Sequence, residues 1–150
     1  MPHELRILYV VDDDESVGKG LSRLLRASGF EVRLFASPER FLDEVRDELG
    51  ACIILDITMP GMTGLQVQAR LLEKGIGLPV VAVSARDDEH ARRSARELGA
   101  RFFLRKPVDA QALLDAIAWV TSPEQDGAVK EKGGAAAGSP PVIKSPTAPR

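Results

Sequence analysis

Residues 52–64 read C-I-I-L-D-I-T-M-P-G-M-T-G. Four apolar residues, Cys52 to Leu55, run straight into Asp56, and Met59-Pro60-Gly61 then punctuates a loop before Gly64 opens a helical pattern. An uninterrupted apolar run that ends at turn residues reads as a strand buried on both faces, as strands of a parallel sheet are. In an open α/β sheet, sites form at the carboxyl ends of such strands, which puts Asp56 where a functional group would sit. Taken alone, Asp56 reads more readily as the cap of a turn or of the next helix. The flanking segments decide between the two readings.

Toward the N-terminus, residues 5–11 are apolar except for Arg6 and lead into Asp12-Asp13-Asp14-Glu15, giving a first strand followed by an acidic loop. Val17, Leu21, Leu24 and Leu25 recur at helical spacing, with Ser16 or an acid before it as cap and Gly29 as stop, so helix one spans about 16–28. Glu31 to Ala36 alternates as a half-buried strand does. Ser37-Pro38 then supplies an N-cap with proline at the first helical position, and helix two is expected over 38–48 with Phe41, Leu42, Val45 and Leu49 inward.

Toward the C-terminus, Leu65, Val67, Ala69, Leu71 and Leu72 mark a helix over about 64–73 that Gly75 and Gly77 end. Leu78 to Val83 is a fourth strand closing at Ser84. Asp87 or Asp88 begins a short helix whose stripe is Ala91, Ala95 and Leu98, with Gly99 as its stop. Arg101 to Arg105 is strand five, Lys106-Pro107 the following loop, and 109–121 a last helix with Leu113, Leu114, Ile117 and Val120 inward. Five βα units in strict alternation predict a doubly wound, five-stranded parallel α/β sheet with helices on both faces and right-handed crossovers.

The bulk properties agree with one such domain. The 150 residues suffice to bury a core without staples, and Cys52, the single cysteine, lies within an apolar strand. The apolar run from Ile7 to Val11 is too short for a signal-peptide core or a membrane span, so a cytoplasmic protein without membrane contact is expected. A net charge of -2 is no nucleic-acid signature. From Ser122 onward Pro, Gly, Ala, Ser and Lys replace apolar periodicity, which divides the chain into a domain at 1–121 and a disordered tail or linker at 122–150.

If strands one, three, four and five are neighbours, their carboxyl ends gather Asp12, Asp13, Asp56, Ser84 and Lys106. Crowded carboxylates raise one another's pKa unless a cation intervenes. An all-oxygen set without His or Cys selects a hard ion that keeps its waters, Mg2+ rather than Zn2+, while His3 and His90 read as ordinary surface residues. A metal, a carboxylate, a hydroxyl and an ammonium together suit phosphoryl transfer onto Asp56, with the metal and Lys106 neutralising phosphoryl oxygens and Ser84 donating to one of them.

V-V-D-D-D-E at 10–15, L-D-I-T-M-P-G-M-T-G at 55–64, V-S-A at 83–85 and F-F-L-R-K-P at 102–107 together resemble the receiver domain of bacterial two-component response regulators. The likeness spans residues 5–121, with every motif in family order. It implies a flavodoxin-like (βα)5 sheet in strand order 2-1-3-4-5. It also implies Asp12 and Asp13 as the acidic metal pair, Asp56 as phosphoacceptor and metal ligand, and the Thr58 carbonyl as a further ligand. Ser84 would be the switch hydroxyl, Lys106 the phosphate-binding lysine, Pro107 a cis proline and Phe103 the aromatic switch; Asp14 receives no role. The cofactor implied is Mg2+, with Mn2+ as substitute. The implied function is a phosphoacceptor signalling domain, not a separate enzyme, that takes its phosphoryl group from a sensor histidine kinase or phosphotransfer protein. It would report its state on the helix 4/strand 5/helix 5 surface, with another receiver as a further partner in a phosphorylation-dependent homodimer. Helix four departs from the pattern in carrying Arg92, Arg93 and Arg96 over small apolar anchors. A competing likeness, Asp12-x-Asp14-x-Ser16 to the nucleophile motif of haloacid-dehalogenase phosphatases, lacks the acidic pair after the lysine and leaves the M-P-G-M-T-G loop without a role.

Overall fold

The apolar runs become five parallel strands: β1 (Ile7–Val11), β2 (Glu31–Phe35), β3 (Cys52–Asp56), β4 (Val80–Ser84) and β5 (Ala100–Arg105). They form one sheet in the order β2-β1-β3-β4-β5. The structure, a computed structural model, describes residues 6–86 and 88–122; Leu5, His3, Asp87 as a helix start and all but the first residue of the proposed tail lie outside them. Between the strands run α1 (Glu15–Ala27), α2 (Pro38–Glu44), α3 (Gly64–Lys74), α4 (Glu89–Glu97) and, last, α5 (Ala110–Val120).

Alternation along the strands divides the core into two layers. Tyr9, Val11, Ile53, Leu55 and Ala82 face α2, α3 and α4, where Phe41, Val67, Leu71 and Ala95 meet them. Leu8, Val10, Cys52, Ile54, Val81 and Val83 face α1 and α5, against Leu25, Leu113, Ile117 and Val120. β3 and β4 are buried at every position, which explains why they read as unbroken apolar runs.

Helix starts fall where the caps predict. Asp14, Ser37, Thr63, Asp88 and Asp109 each accept backbone N–H groups of the first turn. Thr63 and Gln66 complete a reciprocal capping box, and Gly75 closes α3 in the left-handed region at φ 75°.

Two shifts of boundary have a cause in the packing. α2 stops at Glu44 instead of 48 because Val45 turns extended and the next amide, Arg46 N–H, donates to the Tyr9 hydroxyl at 3.2 Å. Asp47 then accepts from Gly77 N–H at 3.1 Å, and Leu49, expected inward, is fully exposed. β4 starts at Val80 instead of Leu78, since Pro79 has no N–H for the ladder and contributes only its carbonyl, to Ile53 N–H at 2.9 Å.

The β4–β5 pairing carries an irregularity. Val80 pairs with Ala100 but Val81 pairs with Phe102, leaving Arg101 as an extra residue on β5. Beyond it Phe102 lies in the α5 layer, edge-on to Trp119 at 5.3 Å between centroids, and Phe103 lies in the α4 layer.

Candidate functional site

Parallel pairing aligns the strand ends. Val11 pairs with Leu55, so Asp12 and Asp56 emerge side by side, and Asp56 in turn pairs with Val83, one residue before Ser84. The loop after β3 is fixed by Ile57 N–H donating to the Val83 carbonyl at 2.8 Å and Gly64 N–H to the Ile57 carbonyl at 3.1 Å. Gly64 is there of necessity: a Cβ would strike the Asp56 carbonyl oxygen and stand 2.6 Å from Ile57 Cα. This close approach of α3 to the strand end holds the Asp56 loop in place.

Asp12, Asp13 and Asp56 bring carboxylate oxygens within 4.8 Å of one another. Asp12 and Asp56 are buried and Asp13 is exposed, so the cluster opens to solvent on one side. Lys106 spans the two buried acids, its Nζ donating to Asp12 at 2.8 Å and to Asp56 at 3.3 Å. Burial pushes the Asp12 carboxyl above its ordinary pKa, the Lys106 hydrogen bond and the Asp14 amide pull the other way, and the charge on Asp56 adds to the rise. Lys106 is held above its own ordinary value: burial opposes this, but its bond to Asp12 and the two negative charges prevail.

One ammonium against three carboxylates leaves negative charge in excess. That surplus, and a donor set of oxygen alone, fits a hard divalent cation. Asp12, Asp13 and Asp56 would hold it, and Mg2+ there would neutralise and orient phosphoryl oxygens.

Ser84 is fully buried at the end of β4, and its Oγ accepts from Arg86 N–H at 3.0 Å. Its carbonyl receives Lys106 N–H at 2.8 Å, so the hydroxyl and the lysine are set by one pair of strands. The Lys106–Pro107 peptide is cis. Phe103 is half-buried with the Arg92 guanidinium 5.0 Å above its ring.

Two features escaped the sequence reading. Thr58 was singled out for its carbonyl alone, yet its N–H and hydroxyl both donate to Asp56 Oδ1, at 3.0 and 3.2 Å. Its position two residues after Asp56 was the available signal, because N–H and hydroxyl groups at that spacing commonly satisfy an Asp carboxylate. Gln68, buried in α3, donates its Nε2–H to the Ala95 carbonyl of α4 at 3.0 Å, a tether that helical periodicity could not disclose. Asp14, given no role in the site, is the acid before Ser16 that caps α1, accepting from Ser16 and Val17 N–H. On α4, Glu89 pairs with Arg92 at i,i+3 spacing, 3.8 Å apart.

Comparison with known proteins agrees with this geometry. Residues 8–118 match the family model described as response regulator receiver domain. The response regulator protein TmoT of Ectopseudomonas mendocina is 40% identical over 111 residues, covering 74% of this chain and 50% of TmoT. TodT of Pseudomonas putida is 38% identical over 117 residues, covering 78% of this chain and 52% of TodT. The crystal structure of FixJ-N superposes with a TM-score of 0.74 at 27% identity, covering 81% of this chain and 97% of that one. The chain thus spans about half the length of the curated relatives it matches. Among the described residues no helix is long and apolar enough to cross a membrane.

Proposed function

The chain belongs to the response regulator receiver domain family, whose role is phosphoryl-transfer signalling, and from that premise we propose that Asp56 is its phosphoacceptor. One observation carries the assignment: Asp56 is the buried acid bonded by both Lys106 and Thr58 within the carboxylate cluster. It shares Lys106 with Asp12, accepts twice from Thr58, and contributes to the carboxylate cluster with Asp13.

The roles follow from position. Asp56 Oδ2 attacks phosphorus in line, and the bond from phosphorus to the donor's leaving atom breaks. Lys106, already between Asp12 and Asp56, accompanies the charge onto the new phosphoryl group. Thr58 N–H orients the carboxylate. Ser84, now bonded by Arg86 N–H, donates to a phosphoryl oxygen when the loop after β4 moves inward. That movement vacates space beside β5, into which the Phe103 ring turns, and α4 and β5 report the change. The phosphodonor is a histidine kinase or phosphotransfer protein, and the surface of α4, β5 and α5 is where another receiver or an acidic partner docks. Residues 1–121 form the phosphoacceptor unit and 122–150 a tail or linker.

The test is incubation with Mg2+ and a small phosphodonor, followed by mapping of the modified residue. Label is expected on Asp56 and lost in Asp56→Asn, with the fold retained. Label on Asp12 would transfer the role to that carboxylate.

A further inference from the structure

On the sheet edge formed by β2, α1 and Leu34 enclose a groove of about 220 Å3. Its helical wall is Lys19, Ser22, Arg23 and Arg26, spaced i, i+3, i+4 and i+7 and therefore on one face. Gly18 lets the helix lie close here, since a Cβ would sit 2.9 Å from Leu34 Cδ1.

The floor holds an unexplained polar group. Ser22 is only 2% exposed, and its Oγ has no hydrogen-bond partner. A serine inside a helix ordinarily satisfies itself on the carbonyl four residues back. Ser28 does so on Leu24 at 3.0 Å and Thr121 on Ile117 at 2.7 Å, but Ser22 does not. A buried hydroxyl left free beside three cations is a donor waiting for an acceptor.

The cations are likewise uncommitted to acids. Among the described residues no ion pair joins Lys19, Arg23 or Arg26 to a carboxylate, in a chain whose net charge is -2. Arg26 is anchored by one N–H donated to the Val32 carbonyl at 3.1 Å, which fixes its guanidinium at the groove end and leaves its other donors directed elsewhere. We propose that the α1/β2 groove is an anion site for a small phosphate-bearing molecule, held by Lys19, Arg23 and Arg26 with Ser22 Oγ–H donating to a phosphate oxygen. The compact volume and the buried hydroxyl favour a terminal phosphate over the flat acidic face of a protein. Planar guanidinium groups match phosphate oxygens in pairs. Leu34 offers an apolar wall to whatever the phosphate carries.

Backbone amide NMR without Mg2+ or phosphodonor keeps this site separate from Asp56 chemistry. Inorganic phosphate is titrated in one arm and adenosine monophosphate in another. Saturable shifts across residues 19–26 and 32–34 are expected. Arg23→Ala should raise the half-saturating concentration by about tenfold, the scale of one charge-assisted hydrogen bond. Ser22→Ala should weaken binding several-fold while keeping or raising Tm, because that hydroxyl holds no partner in the protein. Tighter binding of the nucleotide identifies a phosphomonoester as ligand, and equal binding identifies free phosphate. Shifts centred on Asp12, Asp56 and Lys106, affinities unmoved by either substitution, or saturation by an acidic peptide but not by phosphate would each overturn the proposal.

Discussion

The carboxyl end of β1 and β3 and the edge formed by α4 and β5 lie in one small domain, yet they are built in opposite ways. The first is acid-rich and held by central strands with no exposed position in β3. The second is arginine-rich and loosely seated: Ala95 is the single buried residue among those described in α4, and β5 is half-buried along most of its length. Arg92, Arg96 and Arg101 line an open pocket there of about 200 Å3, with Phe102 and Phe103 behind them. A site that must hold charges in fixed geometry needs the stiff frame, and a surface that must change needs few buried contacts to break. On the proposed function, the acid end is where a signal would be written and the arginine edge where it would be displayed.

The sharpest way to break that contrast is at Gly64. Gly64→Ala forces a Cβ into backbone atoms that cannot rotate aside, so urea denaturation should show a loss of about 3 kcal/mol. A loss below about 0.5 kcal/mol would mean the β3–α3 junction yields, and the acid end is no stiffer than the edge.

Alkaline pH tests the same frame from inside. Burial pushes the Cys52 thiol from 9.0 up to about 12. Above pH 9 the unfolded chain therefore releases a proton that the native protein keeps. Stability then falls as pH rises toward 12, by up to about 1.4 kcal/mol per pH unit. Cys52→Ala should lack this part of the slope when both proteins are unfolded in urea at about pH 8 and about pH 10. Parallel curves would mean that β3 opens to solvent.

The link between the two regions is tested by Ser84→Ala and Phe103→Ala. Ser84→Ala leaves Arg86 N–H without its acceptor, a cost of about 1 kcal/mol. Each variant should still accept phosphate on Asp56. Each should also show a diminished response across residues 86–105 when beryllofluoride is added, read by amide exchange. Full wild-type responses in both would uncouple the site from the edge.

Arg92→Ala carries the smallest effect. The guanidinium over Phe103 is partly exposed, so its removal should cost about 0.5–1 kcal/mol and broaden the motion of the ring, seen in aromatic NMR line shapes. An unchanged ring would show that Arg92 does not restrain it.

How much of this was legible in the sequence depended on how local the cause was. Strands buried on both faces must be apolar throughout, so β3 announced itself, and Asp12, Asp56 and Ser84 each marked the end of such a run. Caps are equally local, and Ser37-Pro38 stood where α2 begins. The end of α2 was hidden because it is set by the Tyr9 hydroxyl, 37 residues away, drawing off the Arg46 amide. Gln68 was hidden for the same reason: a polar residue on a helix reads as a solvent-facing position until its partner on another helix is known.

The extra residue at Arg101 governs more than one kink. Side chains on a strand alternate like the two colours of a chessboard row, and an inserted residue exchanges the colours of everything after it. Because of Arg101, Phe103 shares a side of the sheet with Ala100 and α4, and Phe102 shares the other with Trp119. Were β5 paired in regular register, with Val81 opposite Arg101, the two rings would exchange: Phe102 would face α4 and Phe103 would lie against α5. The bulge at Arg101 therefore sets which of the two aromatics lies on the α4 side of the sheet.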